Sequence, residues 1–212
     1  MPNDHYYTSA PTSAHKTAYV EMDYRGHALR FETDSGVFSR TELDRGTEVL
    51  LDSLPETVQG AVLDMGCGWG VIGVAVGKNW PQTQITMADI NQRACELSRK
   101  NAQANGVQAA VWESDGYEKV LGNAYDLILQ NPPIRAGKAV IYQMFAHAAQ
   151  CLTERGELWL VIRKQQGAPS AITYLKTLFE SVETVEKKSG FWIIRCLEPL
   201  KNNNQHTEDE QA

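Results

Sequence analysis

Hydrophobic and polar positions change rhythm twice along this chain. Between Thr17 and Thr33 they alternate singly: Tyr19, Glu21 and Asp23, an Arg25-Gly26 turn, then Ala28, Arg30 and Glu32 interleaved with Leu29 and Phe31. That pattern predicts a β-hairpin. From Asp44 to Leu54 the apolar positions take helical spacing and stop before Pro55. Beyond residue 60, short apolar runs alternate with helical stretches. Residues 61–65, 84–88, 109–112, 125–129 and 158–162 read as strands, and 71–78, 91–104, 138–152 and 171–179 as helices. Two strands near 182–185 and 191–196 close the series without a helix between them. Strand-helix alternation predicts a mainly parallel seven-stranded α/β sheet covered on both faces, and the closing pair predicts an antiparallel edge strand.

Composition narrows the class. The chain has 212 residues, 42% of them hydrophobic and 22% charged, which is ordinary globular usage. No apolar run reaches the roughly 20 residues of a bilayer span, and the start has neither a basic nor an apolar leader region. Cys67, Cys95, Cys151 and Cys196 are scattered without a C-x-x-C pair, which points to reduced thiols, a cytoplasmic location and no metal site. Residues 1–54 are expected to form an arm, hairpin and helix packed on a core of residues 55–200. Residues 201–212 lack core-forming side chains, carry Glu208, Asp209 and Glu210 against one lysine, and read as a disordered tail. The net charge of −6 does not advertise a nucleic-acid binder, although a local cationic patch can act against that background.

The chemistry begins at Asp64-Met65-Gly66-Cys67-Gly68-Trp69-Gly70, between the first strand of the alternating region and its helix. Loops at such positions meet ligands at strand ends, and glycine lets the backbone approach them closely. Two patterns fit. Gly66-x-Gly68-x-Gly70 matches the loop of S-adenosylmethionine methyltransferases, whereas Gly68-x-Gly70-x-x-Gly73 matches a dinucleotide fingerprint. Asp89, ending the second strand before Ile90, can accept from two ribose hydroxyls under either reading; it can also serve simply as a helix N-cap. Asp115, beside Gly116 after the third strand, lies where an adenine amino group would be read. Together Asp64, Asp89 and Asp115 are expected along one edge of the sheet.

Asn131-Pro132-Pro133-Ile134 after the fourth strand decides between them. A conjugated amine is a poor nucleophile because its lone pair is delocalised. Acceptors at the Asn131 side-chain oxygen and the Pro132 carbonyl would draw its N–H groups towards tetrahedral geometry and stabilise the positive charge that arrives with a methyl group. Two prolines fix φ and remove donors, leaving those acceptors rigid and free. Here the sequence resembles class I S-adenosylmethionine-dependent methyltransferases acting on planar exocyclic amines. With Asp34-Ser35-Gly36-Val37-Phe38-Ser39, Asp44-x-Gly46-Thr47, His5-Tyr6-Tyr7 and Arg163-Lys164-Gln165-Gln166-Gly167-Ala168, it is similar to the catalytic half of the small-subunit rRNA guanine-N2 methyltransferases over residues 5–197.

That resemblance implies a Rossmann-like fold, S-adenosylmethionine as cofactor, and ribosomal RNA or a small-subunit assembly particle as partner. It assigns Asp64, Gly66, Cys67, Gly68 and Gly70 to the methionine part of the cofactor, and Thr47 near its amino-acid end. Asp89 and Ile90 would hold the ribose, Asp115 and Gly116 the adenine, and Asn131 and Pro132 the target amine, next to the cofactor. Ile134 stands where relatives place a stacking aromatic, so Phe38 is expected to share base contact with Pro133 and Ile134. Arg135, Lys138, Arg163 and Lys164 are expected to meet phosphates around the pocket. Other readings stay open at this point: a protein glutamine methyltransferase with the same acceptor geometry, a non-catalytic cofactor-binding RNA chaperone and, more distantly, a dehydrogenase.

Overall fold

A computed structural model describes residues 13–200. The expected contribution of His5-Tyr6-Tyr7 and the expected tail at 201–212 lie outside the described residues. The hairpin pairs β1 (Ala18–Tyr24) with β2 (His27–Thr33), antiparallel, about an Arg25-Gly26 turn. Its inward positions Val20, Tyr24, Leu29 and Phe31 are buried, as the single alternation requires. Helix α1 (Arg45–Asp52) follows, N-capped by Asp44, whose side chain accepts from the Thr47 N–H.

The main sheet is built from β3 (Ala61–Met65), β4 (Gln84–Asp89), β5 (Ala109–Glu113), β6 (Tyr125–Gln130), β7 (Leu152–Arg163), β8 (Phe179–Lys188) and β9 (Phe191–Pro199). Helices α2 (Val71–Asn79), α3 (Gln92–Ala104), α4 (Lys138–Cys151) and α5 (Ala168–Leu175) connect them. The strand order is β5-β4-β3-β6-β7-β9-β8, with β9 antiparallel to both neighbours and the remaining pairings parallel. The fold is therefore the mixed α/β sheet expected; the strand that runs against the others is β9, second from the edge, and the edge strand β8 is antiparallel only to β9. Two apolar layers cover it. The hairpin, α1 and α2 share one core with Leu127, Leu129, Trp159 and Ile193; α4 and α5 pack on the opposite face through Phe145, Ala148 and Leu175.

Three boundaries differ from the sequence reading. The last helix spans 168–175 rather than 171–179: Gly167 turns the chain in the left-handed region at φ +105°, and Pro169 is tolerated in the first turn. Phe179 belongs to β8 and is buried in the α4–α5 core. Strand β7 starts at Leu152, directly after α4, because Tyr125 pairs with Leu152 before the register slips. Gly156 fits that slip, since a Cβ there would stand 2.7 Å from the Tyr125 carbonyl oxygen.

Strand order reverses between β3 and β6, so the crossovers leaving these two strands run to opposite faces and open a crevice at their carboxyl ends. Gly66 and Asn131 stand at the two lips of that crevice. The topology thus brings residues 65 positions apart to one place.

Candidate active site

The crevice is a cavity of about 550 Å³, within the size range of small-molecule sites. Its walls come from the glycine loop, the ends of β4 and β5, the segment after β6, the 37–39 loop and one face of α4. Of the residues expected from sequence, Phe38, Thr47, Gly66, Cys67, Gly68, Asp89, Ile90, Asp115, Gly116, Asn131, Pro132 and Pro133 line it. Asp64, Gly70, Ile134, Arg135, Lys138, Arg163 and Lys164 do not.

Packing explains the difference among the glycines. A Cβ built on Gly66 or Gly68 would meet nothing within 4 Å, so these two leave open space in the cavity wall; both also have positive φ. Gly73 faces the other way. Its Cβ would stand 2.7 Å from the Met87 side chain, so it serves the close approach of α2 to the sheet. Asp64 belongs to this inner layer. It is fully buried, and its Oδ2 accepts from the Gly73 N–H at 2.9 Å. The structure thus places Asp64 behind the loop, whereas the sequence reading put it with the cofactor's methionine part.

Asp89 ends β4 on the cavity wall. Its Oδ2 accepts from the Gly68 N–H at 2.8 Å and its Oδ1 from the Asn91 N–H at 2.9 Å, so the carboxylate ties β4 to the glycine loop. It is not the helix N-cap. That part is taken by Asn91, whose side chain accepts from the Ala94 N–H. Asp89 therefore lines the cavity with acceptor capacity remaining on its two oxygens.

Burial raises both acids. Asp64 is pushed up to about 7 by loss of solvent, against the Gly73 N–H and with the nearby Asp89 charge adding to the effect. Asp89 is pushed up to about 6 by burial, against the donors of Asn91, Gly68 and Ile90. Both carboxyls bind a proton more tightly in the fold than at their ordinary 3.8. Their contribution to stability is complete below that value and is lost as pH rises through 6 and 7. Asp34 and Glu157 have lowered values and act in the opposite sense, at more acid pH. The melting temperature of the ligand-free protein should fall between about pH 4 and 7, and Asp64→Asn should flatten the curve. A scan rising over that range, or a variant with the parental slope, would refute the assignment.

The 34–39 segment closes the cavity from the hairpin side. Its carbonyls accept from three side chains of the sheet domain: Ser35 from Arg93 at 2.7 Å, Gly36 from Asn91 at 2.9 Å and Phe38 from the Trp69 indole at 2.9 Å. Asp34 anchors its start. Burial works to raise that carboxyl, but bonds from His15 and the Lys16 and Ser35 N–H groups outweigh it and hold it below the carboxylate range.

Asn131 lies opposite the glycine loop, with Pro132 buried beside it. Its Nδ2 donates to Asp44 Oδ2 at 3.0 Å and to Thr47 Oγ1 at 3.0 Å. Thr47, assigned from sequence to the cofactor's amino-acid end, is thus a direct partner of Asn131. Asp44 was missed as a site residue because its capping role is legible locally and its contact with residue 131 is not. Val140, Gln143, Met144 and His147 also line the cavity. Their i, i+3, i+4, i+7 spacing marks one helical face, a pattern that cannot by itself separate a site wall from a core face.

The rest of the sequence-derived set lies outside the cavity. Ile134 packs against the α4–α5 core, so it is no base platform there. Arg135, Lys138, Arg163 and Lys164 are exposed. Lys138 stands over the Tyr142 ring and Arg163 over Phe191, 5.0 and 4.5 Å from the centroids. Phe38 and Val140 are exposed by 38% and 44% while also lining the cavity, so its mouth has apolar side chains.

Comparison with known proteins follows the same lines. Residues 28–195 match the sequence profile of the methyltransferase small domain. The chain is 42% identical over 197 residues to the uncharacterized protein YbxB of Bacillus subtilis, covering 92% of this chain and 98% of that one. It is 39% identical over 163 residues to ribosomal RNA small subunit methyltransferase C of Aeromonas hydrophila, covering 74% of this chain but 45% of that protein. The chain thus spans less than half the length of this rRNA methyltransferase relative. The solved T. thermophilus 16S rRNA N2 G1207 methyltransferase, in complex with AdoMet and guanosine, superposes with a TM-score of 0.78 at 23% identity, over 89% of this chain and 52% of that one. At that identity the superposition speaks for the fold.

Proposed function

The chain belongs to the methyltransferase small domain family, and from that premise we propose that it transfers the methyl group of S-adenosylmethionine to the exocyclic N2 amine of a guanine in small-subunit rRNA. One observation carries the reading: Asn131 shares a cavity with the open glycine loop and Asp89, and its amide nitrogen is already engaged by Asp44 and Thr47. The oxygen is the end left for an amine.

The residues fit such a cofactor. Gly66 and Gly68 leave room at the wall, Asp89 offers acceptors for ribose hydroxyls, and Asp115 with Gly116 lies at the next strand end for the adenine. The bound cofactor supplies an electrophilic methyl on a sulfonium. The chain's own part is to position and polarise the acceptor. Asn131 Oδ1 and the Pro132 carbonyl take the amine's N–H groups, so its lone pair loses conjugation and its growing positive charge meets two fixed dipoles. Phe38 and Val140 offer apolar contact to a base entering the mouth. The exposed Arg135, Lys138, Arg163 and Lys164 are suited to phosphates outside it. A guanine must be unpaired or flipped to enter.

The substrate assignment rests on the rRNA methyltransferases among the relatives together with this acceptor geometry. Methyl transfer from labelled S-adenosylmethionine to small-subunit particles or 16S rRNA, followed by nucleoside mass analysis, tests it. The label should appear in N2-methylguanosine. Label in another nucleoside, or in protein, would overturn the substrate reading.

A further inference from the structure

Asp44 stands where α1 begins and β6 ends, 87 residues from Asn131 in sequence. Its Oδ2 accepts from the Thr47 N–H at 3.0 Å and from Asn131 Nδ2 at 3.0 Å. Thr47 Oγ1 accepts from the same Nδ2 at 3.0 Å. Among the described residues, no protein group bonds Asn131 Oδ1. The two acceptors differ in kind. A hydroxyl can donate or accept, so Thr47 would tolerate either face of the amide. An ionised carboxylate only accepts, so a flipped amide would set oxygen against oxygen at hydrogen-bond distance. The orientation is therefore decided by Asp44.

We propose that Asp44 is the positioning residue that locks the Asn131 amide with its oxygen towards the reacting amine. This rests on the reading of Asn131 as the amine acceptor given above. Asp44 touches neither reacting atom and acts through Asn131. It also caps α1, so a merely structural role must be separated from the positioning one.

Asp44→Ser makes the separation. Serine is a good N-cap for the Thr47 N–H but is too short to reach Asn131, so the melting temperature should stay near that of the parent. Turnover should fall at least about tenfold while RNA KM and cofactor affinity change by less than about threefold. Asp44→Asn retains an acceptor and should recover most of the loss. The Asp44→Ser, Asn131→Ala double variant should be no slower than Asn131→Ala alone, within about twofold, because both changes remove one function. Losses that multiply would mean Asp44 acts elsewhere, and would overturn the proposal.

A readout without turnover accompanies these rates. In the ligand-free ¹⁵N-labelled protein, the Asn131 side-chain NH₂ signal, identified by its loss in Asn131→Ala, should be protected from solvent exchange. The protection should persist in Asp44→Asn and fall in Asp44→Ser, where Thr47 Oγ1 is the acceptor that remains. Unchanged protection in Asp44→Ser would overturn the proposal. Should Asn131→Ala retain full turnover, the amine-acceptor reading fails, and this signal alone then decides whether Asp44 holds the amide.

Discussion

An Asn131→Ala protein is expected to transfer methyl roughly 10²–10³-fold more slowly than the parent, in keeping with loss of one preorganised polar group at a reacting centre. The structure makes the substitution a clean one. Pro132 and Pro133 still set the backbone after β6. Asp44 loses one donor but keeps the Thr47 N–H, so α1 remains capped. The glycine loop and Asp89 are untouched, and S-adenosylmethionine affinity should stay within about threefold, under 1 kcal/mol. RNA affinity should fall only slightly, because the bond to the amine strengthens as charge reaches nitrogen. Single-turnover assays beside calorimetry separate these effects. Near-normal single-turnover transfer by a folded Asn131→Ala protein would remove Asn131-Pro132-Pro133 from the reacting centre.

The second large effect is expected at Asp89. Asp89→Ala should weaken S-adenosylmethionine binding by about 1.5–3 kcal/mol, the usual worth of charge-assisted hydrogen bonds, or roughly 10- to 150-fold. Two routes contribute. The ribose hydroxyls lose their acceptors, and the Gly68 and Asn91 N–H groups lose the carboxylate that draws the loop to the end of β4. Asp89→Asn retains the side-chain volume and one acceptor, so its loss should be smaller. Unchanged affinity in a folded Asp89→Ala protein, measured by calorimetry, would take Asp89 out of the cofactor site.

The elements that sequence patterning located well are those whose signals are local. Single alternation made the hairpin legible because its inward face is buried by the same core that buries α1. Apolar runs closed by glycine or proline located β3 and β6, and helical spacing located α3. Boundaries failed where pairing with a distant strand decides them. The early start of β7 depends on Tyr125 and the close approach at Gly156, and Phe179 joins β8 because the α4–α5 core accepts it. Nothing within a few residues of either position reports this.

The site divides in the same way. Residue type, spacing and the family resemblance together pointed to the glycine loop, Asp89, Asp115 and Asn131-Pro132-Pro133, and these meet at one cavity because strand ends in a parallel sheet share an edge. Which of the conspicuous residues face the cavity was decided by packing. Asp64 turns inward to the Gly73 N–H, where burial makes it easier to protonate despite that bond, while Ile134 joins the opposite core. The partners of Asn131 were likewise set by the docking of α1 on the sheet. A capping aspartate looks alike in any helix of this kind, and only the approach of two segments 87 residues apart gives Asp44 a side chain to orient.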